Sequence, residues 1–240
     1  MKTRYILLSL AALLALGCKK SEPEHNGHAY ADLGLSVKWA TCNVGAAKPE
    51  EAGDYFAWGE AEPYYVAGDA LAPDAVWKAG KAAGYQWPSY RWSNEEGTVF
   101  SKYVADSQYG TIDNKKVLEP SDDAARATWG GKWRMPTREE WQELRDNCTW
   151  TWSREGGATG YRVTSKTTGG SIFLPACGHR FGTQISDGRN PDYADYGKYW
   201  TASLCSGPSW YGDCWDITPA NSGFGNAWRY LGLPVRPVVE

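Results

Sequence analysis

Apolar positions along most of this chain come in short alternating runs rather than in helical stripes. Val37, Trp39 and Thr41 fall on one side of such a run, and Ala40, Cys42 and Val44 on the other. This predicts a strand over Val37–Val44, with a second short strand at Asp54–Trp58. From Glu60 to Pro120 there is little period and many breakers, so the stretch reads as a decorated insertion or as loop holding short helices. Ser121 or Asp122 can cap a short helix stopped by Gly130 and Gly131. A clearer helix follows: Thr137 and Glu140 form a capping box, and Trp141, Leu144 and Cys148 share one face. On that reading Glu139 and Glu140 serve the helix start rather than acid–base chemistry. Beyond Cys148 the alternation returns at Tyr161–Lys166, Ser171–Pro175 and Lys198–Leu204. Asp213–Thr218 and Gly225–Tyr230 predict a hairpin turning at Asn221–Gly223. Pro234 and Pro237 mark the last run as an edge or closing strand. Two short helices among many short antiparallel strands and long irregular loops make an α+β fold.

The ends of the chain change this picture. Lys2 and Arg4 precede a twelve-residue apolar run, Tyr5–Leu16, too short to span a bilayer as a mature helix. It ends in A-L-G-C, the pattern of a lipoprotein leader over residues 1–17, with Cys18 as the lipidated residue. An ordinary secretory leader is the alternative. Residues 18–29 are polar and read as a flexible tether, with His25 and His28 solvated. Five cysteines remain: Cys42, Cys148, Cys177, Cys205 and Cys214. Export permits disulfides, and Cys205 and Cys214 are close enough in sequence to staple one loop.

Composition adds one unusual feature: 14 Trp and 15 Tyr against 5 Phe. Trp and Tyr join a polar handle to an apolar body, which suits half-wet binding surfaces. A formal charge of -3 argues against nucleic acid as partner.

The wording of several blocks is specific. D-L-G-L-S-V-K-W-A-T-C-N-V-G-A (Asp32–Ala46), G-D-Y-F-A-W-G-E (Gly53–Glu60), D-D-A-A (Asp122–Ala125), W-G-G-K-W-R-M-P-T (Trp129–Thr137), S-I-F-L-P-A (Ser171–Ala176), Y-W-T-A-S (Tyr199–Ser203) and V-R-P-V (Val235–Val238) stand in order. Residues 30–240 thereby resemble the Fibrobacter succinogenes major paralogous domain family, surface lipoproteins of gut Bacteroidetes. The resemblance implies a C-type lectin-like fold, of the branch shared with formylglycine-generating enzymes, and no catalytic activity. It implies an outer-membrane lipoprotein at the cell surface, held to the membrane by its lipid. Some lectin-like proteins of this kind are diversified by retroelements in an interval that here runs from Leu204 to Tyr230. The chain departs from the family pattern in an apparent insertion at 67–84, in Leu233-Pro234, and in Cys177, Cys205 and Cys214.

The interval from Cys205 to Tyr230 is built from Trp, Tyr, Ser, Gly, Asn and Asp, the residue set of adaptable binding surfaces. By strand alternation Trp215 and Trp228 belong to the core. Ser206, Ser209, Trp210, Tyr211, Asp213, Asn221, Phe224 and Asn226 are the candidate ligand-binding residues, for a glycan or a protein. N-P-D at Asn190–Asp192 and W-D at Trp215–Asp216 echo a calcium-lectin pattern, so Asn190, Asp192 and Asp216 are candidate calcium ligands, with an ordinary turn as the alternative. No other cofactor is expected. A copper-dependent oxidase would need Cys205 and Cys214 as neighbouring thiols. Cys177 and His179 lack an acid to orient the imidazole, and G-G-K at Gly130–Lys132 lacks a phosphate loop's first Gly. The expected function is therefore a displayed ligand-binding lipoprotein. The alternatives are a structural coat protein and a thiol-dependent oxidase.

Overall fold

The computed structural model describes residues 23–67, 76–77, 80–81, 84–186 and 195–240. The leader, Cys18, Asn190, Asp192 and most of the insertion at 67–84 lie outside the described residues.

The described residues begin with β1 (Glu24–His25) and β2 (His28–Ala31), a hairpin turning at Asn26–Gly27, then β3 (Lys38–Ala40). The expected tether is therefore part of the fold from Glu24 onward. The physical reason is aromatic: His28 stacks on Trp129 at 3.8 Å, and the His25 carbonyl accepts from the Trp133 indole N–H at 2.8 Å. The strand expected over Val37–Val44 shortens to three residues. Beyond Ala40 its backbone serves other partners, including Val235 and Asp54.

The described residues between 54 and 120 hold little regular structure. Phe56 bridges Leu233, β4 (Tyr65–Ala67) pairs with β5 (Val76–Trp77), and single 3-10 turns sit at Trp87–Ser89 and Ser107–Tyr109. Side chains replace the missing ladder. Buried Glu60 accepts from the Tyr64 hydroxyl at 3.0 Å and from Arg91 N–H at 2.8 Å, and Lys81 pairs with it. Asp113 accepts from the amides of Tyr103 and Val104. Bonds of this kind carry no periodic signature, which is why the stretch was illegible as pattern.

Two helices follow. α1 (Ala124–Trp129) is capped by Asp123, whose carboxylate accepts from Arg126 N–H at 3.1 Å and Met135 N–H at 2.8 Å. The expected caps do other work: Asp122 accepts from the Tyr103 hydroxyl at 2.6 Å. α2 (Arg138–Asn147) has the predicted capping box, with Thr137 Oγ1 accepting from Glu140 N–H and Glu140 Oε2 accepting from Thr137 N–H. Arg134 grips the same Glu140 through two hydrogen bonds, and Trp141 and Leu144 are buried.

Three antiparallel groups complete the fold: β6 (Cys148–Glu155), β7 (Ala158–Ser165) and β8 (Ser171–Pro175); β9 (His179–Phe181) with β10 (Gln184–Ser186); and β11 (Gly197–Leu204), β12 (Tyr211–Thr218) and β13 (Asn221–Trp228). Finally β14 (Val238–Val239) pairs with β3, so the closing strand expected from the two prolines joins the C-terminus to the start of the fold. Small antiparallel sheets with two helices make this an α+β protein.

The sheet β11–β12–β13 is a wall between two cores. Tyr199, Trp215 and Ile217 point into one with Trp39, Trp141 and Leu144. Trp200, Cys214 and Ala227 point into the other with Phe56, Trp58 and Tyr103. Gly212 is required in this wall, since a Cβ there would stand 2.9 Å from Trp58 Cγ and 3.0 Å from Trp200 Cζ3. The predicted hairpin is present, but it turns at Pro219–Ala220, two residues earlier than expected. Thr218 Oγ1 closes that turn by accepting from Asn221 N–H at 3.2 Å.

Candidate functional site

Residues directly opposite in β12 and β13 share a face. Tyr211, Asp213, Trp215 and Ile217 therefore stand with Trp228, Asn226, Phe224 and Ser222. One end of this face is sealed by α2, where Trp141 stacks on Trp215 at 5.5 Å. The other end is open. Asn226 is exposed, Tyr211 is half-buried, and Trp228 is 42% exposed. Trp228 was expected in the core because alternation places it with Trp215. The strand outruns the helix that covers Trp215, so the same face is dry at one end and wet at the other. Trp228 stacks on Tyr230 at 5.5 Å, and Tyr230 in turn packs on Trp87 and Phe181.

The other expected surface residues divide. Ser206 and Asn221 are exposed. Ser209 is buried. Trp210 is half-buried and packs edge-on to Tyr109 at 4.9 Å, as part of the core rather than of a free surface. Asp213 is buried and accepts from Arg138 Nη1 at 2.8 Å. Phe224 packs edge-on to Trp215 at 4.8 Å, and the Arg138 guanidinium lies 3.7 Å over its ring. Arg138, Arg145 and Trp228 are the surface residues that sequence reasoning missed. A helical pattern that turns Trp141 and Leu144 inward leaves Arg138 and Arg145 exposed and says nothing of what they face. The signal that could have found them is their seven-residue spacing, which returns to nearly the same side of a helix.

Cys205 and Cys214 are free thiols, not a disulfide. The Cys214 thiol donates to Asp216 Oδ1 at 3.2 Å and lies 3.7 Å from Lys198 Nζ, whereas Cys205 Sγ accepts from Gly207 N–H at 3.4 Å. Their neighbours in sequence send them to separate partners, so the staple does not form. Burial pushes both thiols up, Cys214 strongly, which keeps them protonated. Asp216, a calcium candidate, is already neutralised by Lys198 Nζ at 2.7 and 2.8 Å. Among the described residues no three His, Cys, Asp or Glu side chains are grouped to hold a metal. Cys177 turns inward, donating to the Pro175 carbonyl at 3.1 Å beside the Tyr199 hydroxyl.

A cleft of about 500 Å³ lies beside the N-terminal hairpin. It is lined by Glu24, His28, Thr41, Cys42, Pro49 and Trp129 among others.

His179 supplies a pH dependence. Burial lowers its pKa from 6.5 to about 4; Lys198 adds to that effect and Asp216 opposes it. Between those values the unfolded chain binds more protons than the folded one. The contribution is therefore present above about pH 6.5 and is lost as the pH falls toward 4. Burial lowers the pKa of His28 as well, against the pull of Glu24. Melting temperature is expected to fall across this window, and His179→Gln to flatten the fall. An unchanged slope in the variant would place the titration elsewhere.

Among the described residues the candidate site is thus the open strip on β12–β13, flanked by α2 and separate from the cleft at the N-terminal hairpin. No family model, curated protein or solved structure matches the chain.

Proposed function

We propose that this chain is an exported, non-catalytic binding protein that displays the open end of the β12–β13 face to a ligand. The observation that carries the reading is the wet end of a hairpin whose other end is packed in the core. Trp228, Tyr211 and Asn226 offer aromatic area and an amide there, while Trp215 anchors the same face in the core. Aromatic anchors on a preorganised support bind with little loss of side-chain freedom. The leader pattern ending at Cys18 and the family resemblance support a lipid-anchored protein at the outer-membrane surface. They also support a lectin-like assignment of the fold. On this reading the ligand is a glycan or a protein, and the membrane is met through the lipid alone. Diversification of the interval would be confined to positions such as Ser206, Tyr211, Asn221, Asn226 and Trp228, because Gly212, Cys214, Trp215, Ile217 and Arg229 are enclosed.

The test is a binding screen of the full chain against glycan and protein panels, repeated with Trp228→Ala. The variant is expected to lose roughly tenfold or more in affinity for whatever the parent binds, as truncation of a central aromatic does. Its melting temperature should move by only a few degrees. Full binding by the variant would overturn the assignment of this face. Concentration-dependent self-association that Trp228→Ala abolishes would replace the reading with a coat protein.

A further inference from the structure

The two arginines of α2 give the strip a chemical preference. Arg138 and Arg145 are seven residues apart, on nearly the same side of the helix and separated by about 10 Å along its axis. Each is laid over a ring of the hairpin: Arg138 at 3.7 Å from the Phe224 centroid, Arg145 at 5.8 Å from that of Trp215. Gly223 makes room for the second, since a Cβ there would lie 3.0 Å from Arg145 Nη1. Asp213 occupies one edge of Arg138 through Nη1, and the side chain remains 44% exposed. Among the described residues, Nε and Nη2 of Arg138 donate to nothing, and Arg145 has no acidic partner. The nearest acids on the helix, Glu139 and Asp146, project about 100° away from the two arginines. An acidic protein thus holds two preoriented guanidinium groups beside exposed aromatic surface. A planar guanidinium with a free edge matches a carboxylate through paired hydrogen bonds, and the ring beneath holds it in place.

We propose that the strip between α2 and β13 binds a uronic-acid polysaccharide. Carboxylates on sugars along the polymer meet Arg138 and Arg145, and a sugar ring at the open end stacks on Trp228. The proposal rests on the binding role assigned above to the β12–β13 face and names its ligand class. A polymer can offer the two arginines carboxylates from different sugars while a further ring reaches Trp228.

The experiment measures binding of the full chain to polygalacturonate, to its carboxyl-reduced form and to dextran sulfate. Parent, Arg145→Gln and Trp228→Ala proteins are compared, with melting temperatures in parallel. Arg145 is exposed and its replacement should leave the fold intact. The parent should bind polygalacturonate and not the reduced polymer. Affinity should drop roughly tenfold in Arg145→Gln and fall as salt rises from about 50 to about 500 mM. Arg138→Lys keeps the charge but loses the fork, and should also weaken binding. Equal binding of the reduced polymer, unaffected by Arg145→Gln but lost in Trp228→Ala, would overturn the acidic class and leave the binding face standing. Dextran sulfate binding that matches polygalacturonate and ignores Arg145→Gln would reduce the effect to general charge attraction and overturn it. Failure to bind polygalacturonate overturns it too. If Trp228→Ala were also silent across the glycan and protein panels, the binding face itself would fall.

Discussion

Arg236→Ala should destabilise the protein by about 3–5 kcal/mol, the loss expected when a buried, fully hydrogen-bonded charge is removed from its partners. For a chain of this size that corresponds to roughly 6–20 °C in melting temperature. The guanidinium is fully enclosed. Its Nε donates to Asn43 Oδ1 at 2.8 Å, Nη1 to the carbonyls of Ala40 and Thr41 at 3.0 and 2.7 Å, and Nη2 to the Phe173 carbonyl at 2.9 Å. One side chain thus ties the C-terminal segment to the end of β3 and to β8. Removing it leaves those oxygens without a donor in a region closed to water. Arg236→Lys keeps the charge on a single point that cannot serve all four acceptors, so it should recover only part of the loss. Chemical denaturation of the two variants checks this. A loss under about 1 kcal/mol for Arg236→Ala would show that the carbonyls find other donors.

Trp200→Ala should cost a comparable amount, about 3–5 kcal/mol, the range for deleting a buried Trp. Trp200 is enclosed, its Nε1–H donates to the Phe56 carbonyl at 2.6 Å, and Gly212 is shaped around it. A Phe series separates volume from hydrogen bonding. Trp200→Phe takes one of two donors from the Phe56 carbonyl, which keeps the Leu233 N–H at 3.0 Å. Trp215→Phe removes an indole N–H that has no hydrogen-bond partner among the described residues. The first should therefore be the more damaging by roughly 0.5–1.5 kcal/mol, the net worth of one hydrogen bond. Equal losses would mean that packing alone decides both sites.

The resemblance blocks acquire physical roles in this light. The Arg of V-R-P-V is Arg236, the Asn of W-A-T-C-N-V is Asn43, and the Phe of S-I-F-L-P is Phe173, so three distant blocks meet at one guanidinium. The Trp of Y-W-T-A-S is Trp200, which donates to the backbone of the G-D-Y-F-A-W-G-E block. Such contacts explain why those blocks hold the two cores. They do not bear on what the exposed strip binds.

The sequence by itself determined the elements whose forces are local. The α2 capping box, the buried face of Trp141, Leu144 and Cys148, and the hairpin strands near the C-terminus were all readable, because a cap and an alternation are set within a few residues. Only the tertiary structure decided which polar and aromatic residues are wet. Trp215 and Trp228 obey the same alternation, yet a helix covers one and not the other. Ser209 and Asp213 look like turn residues and are buried, the latter because Arg138 reaches it from another element. Cys205 and Cys214 are near in sequence and held apart by different partners. Burial is a property of what packs against a residue from far along the chain, and no local pattern carries that information.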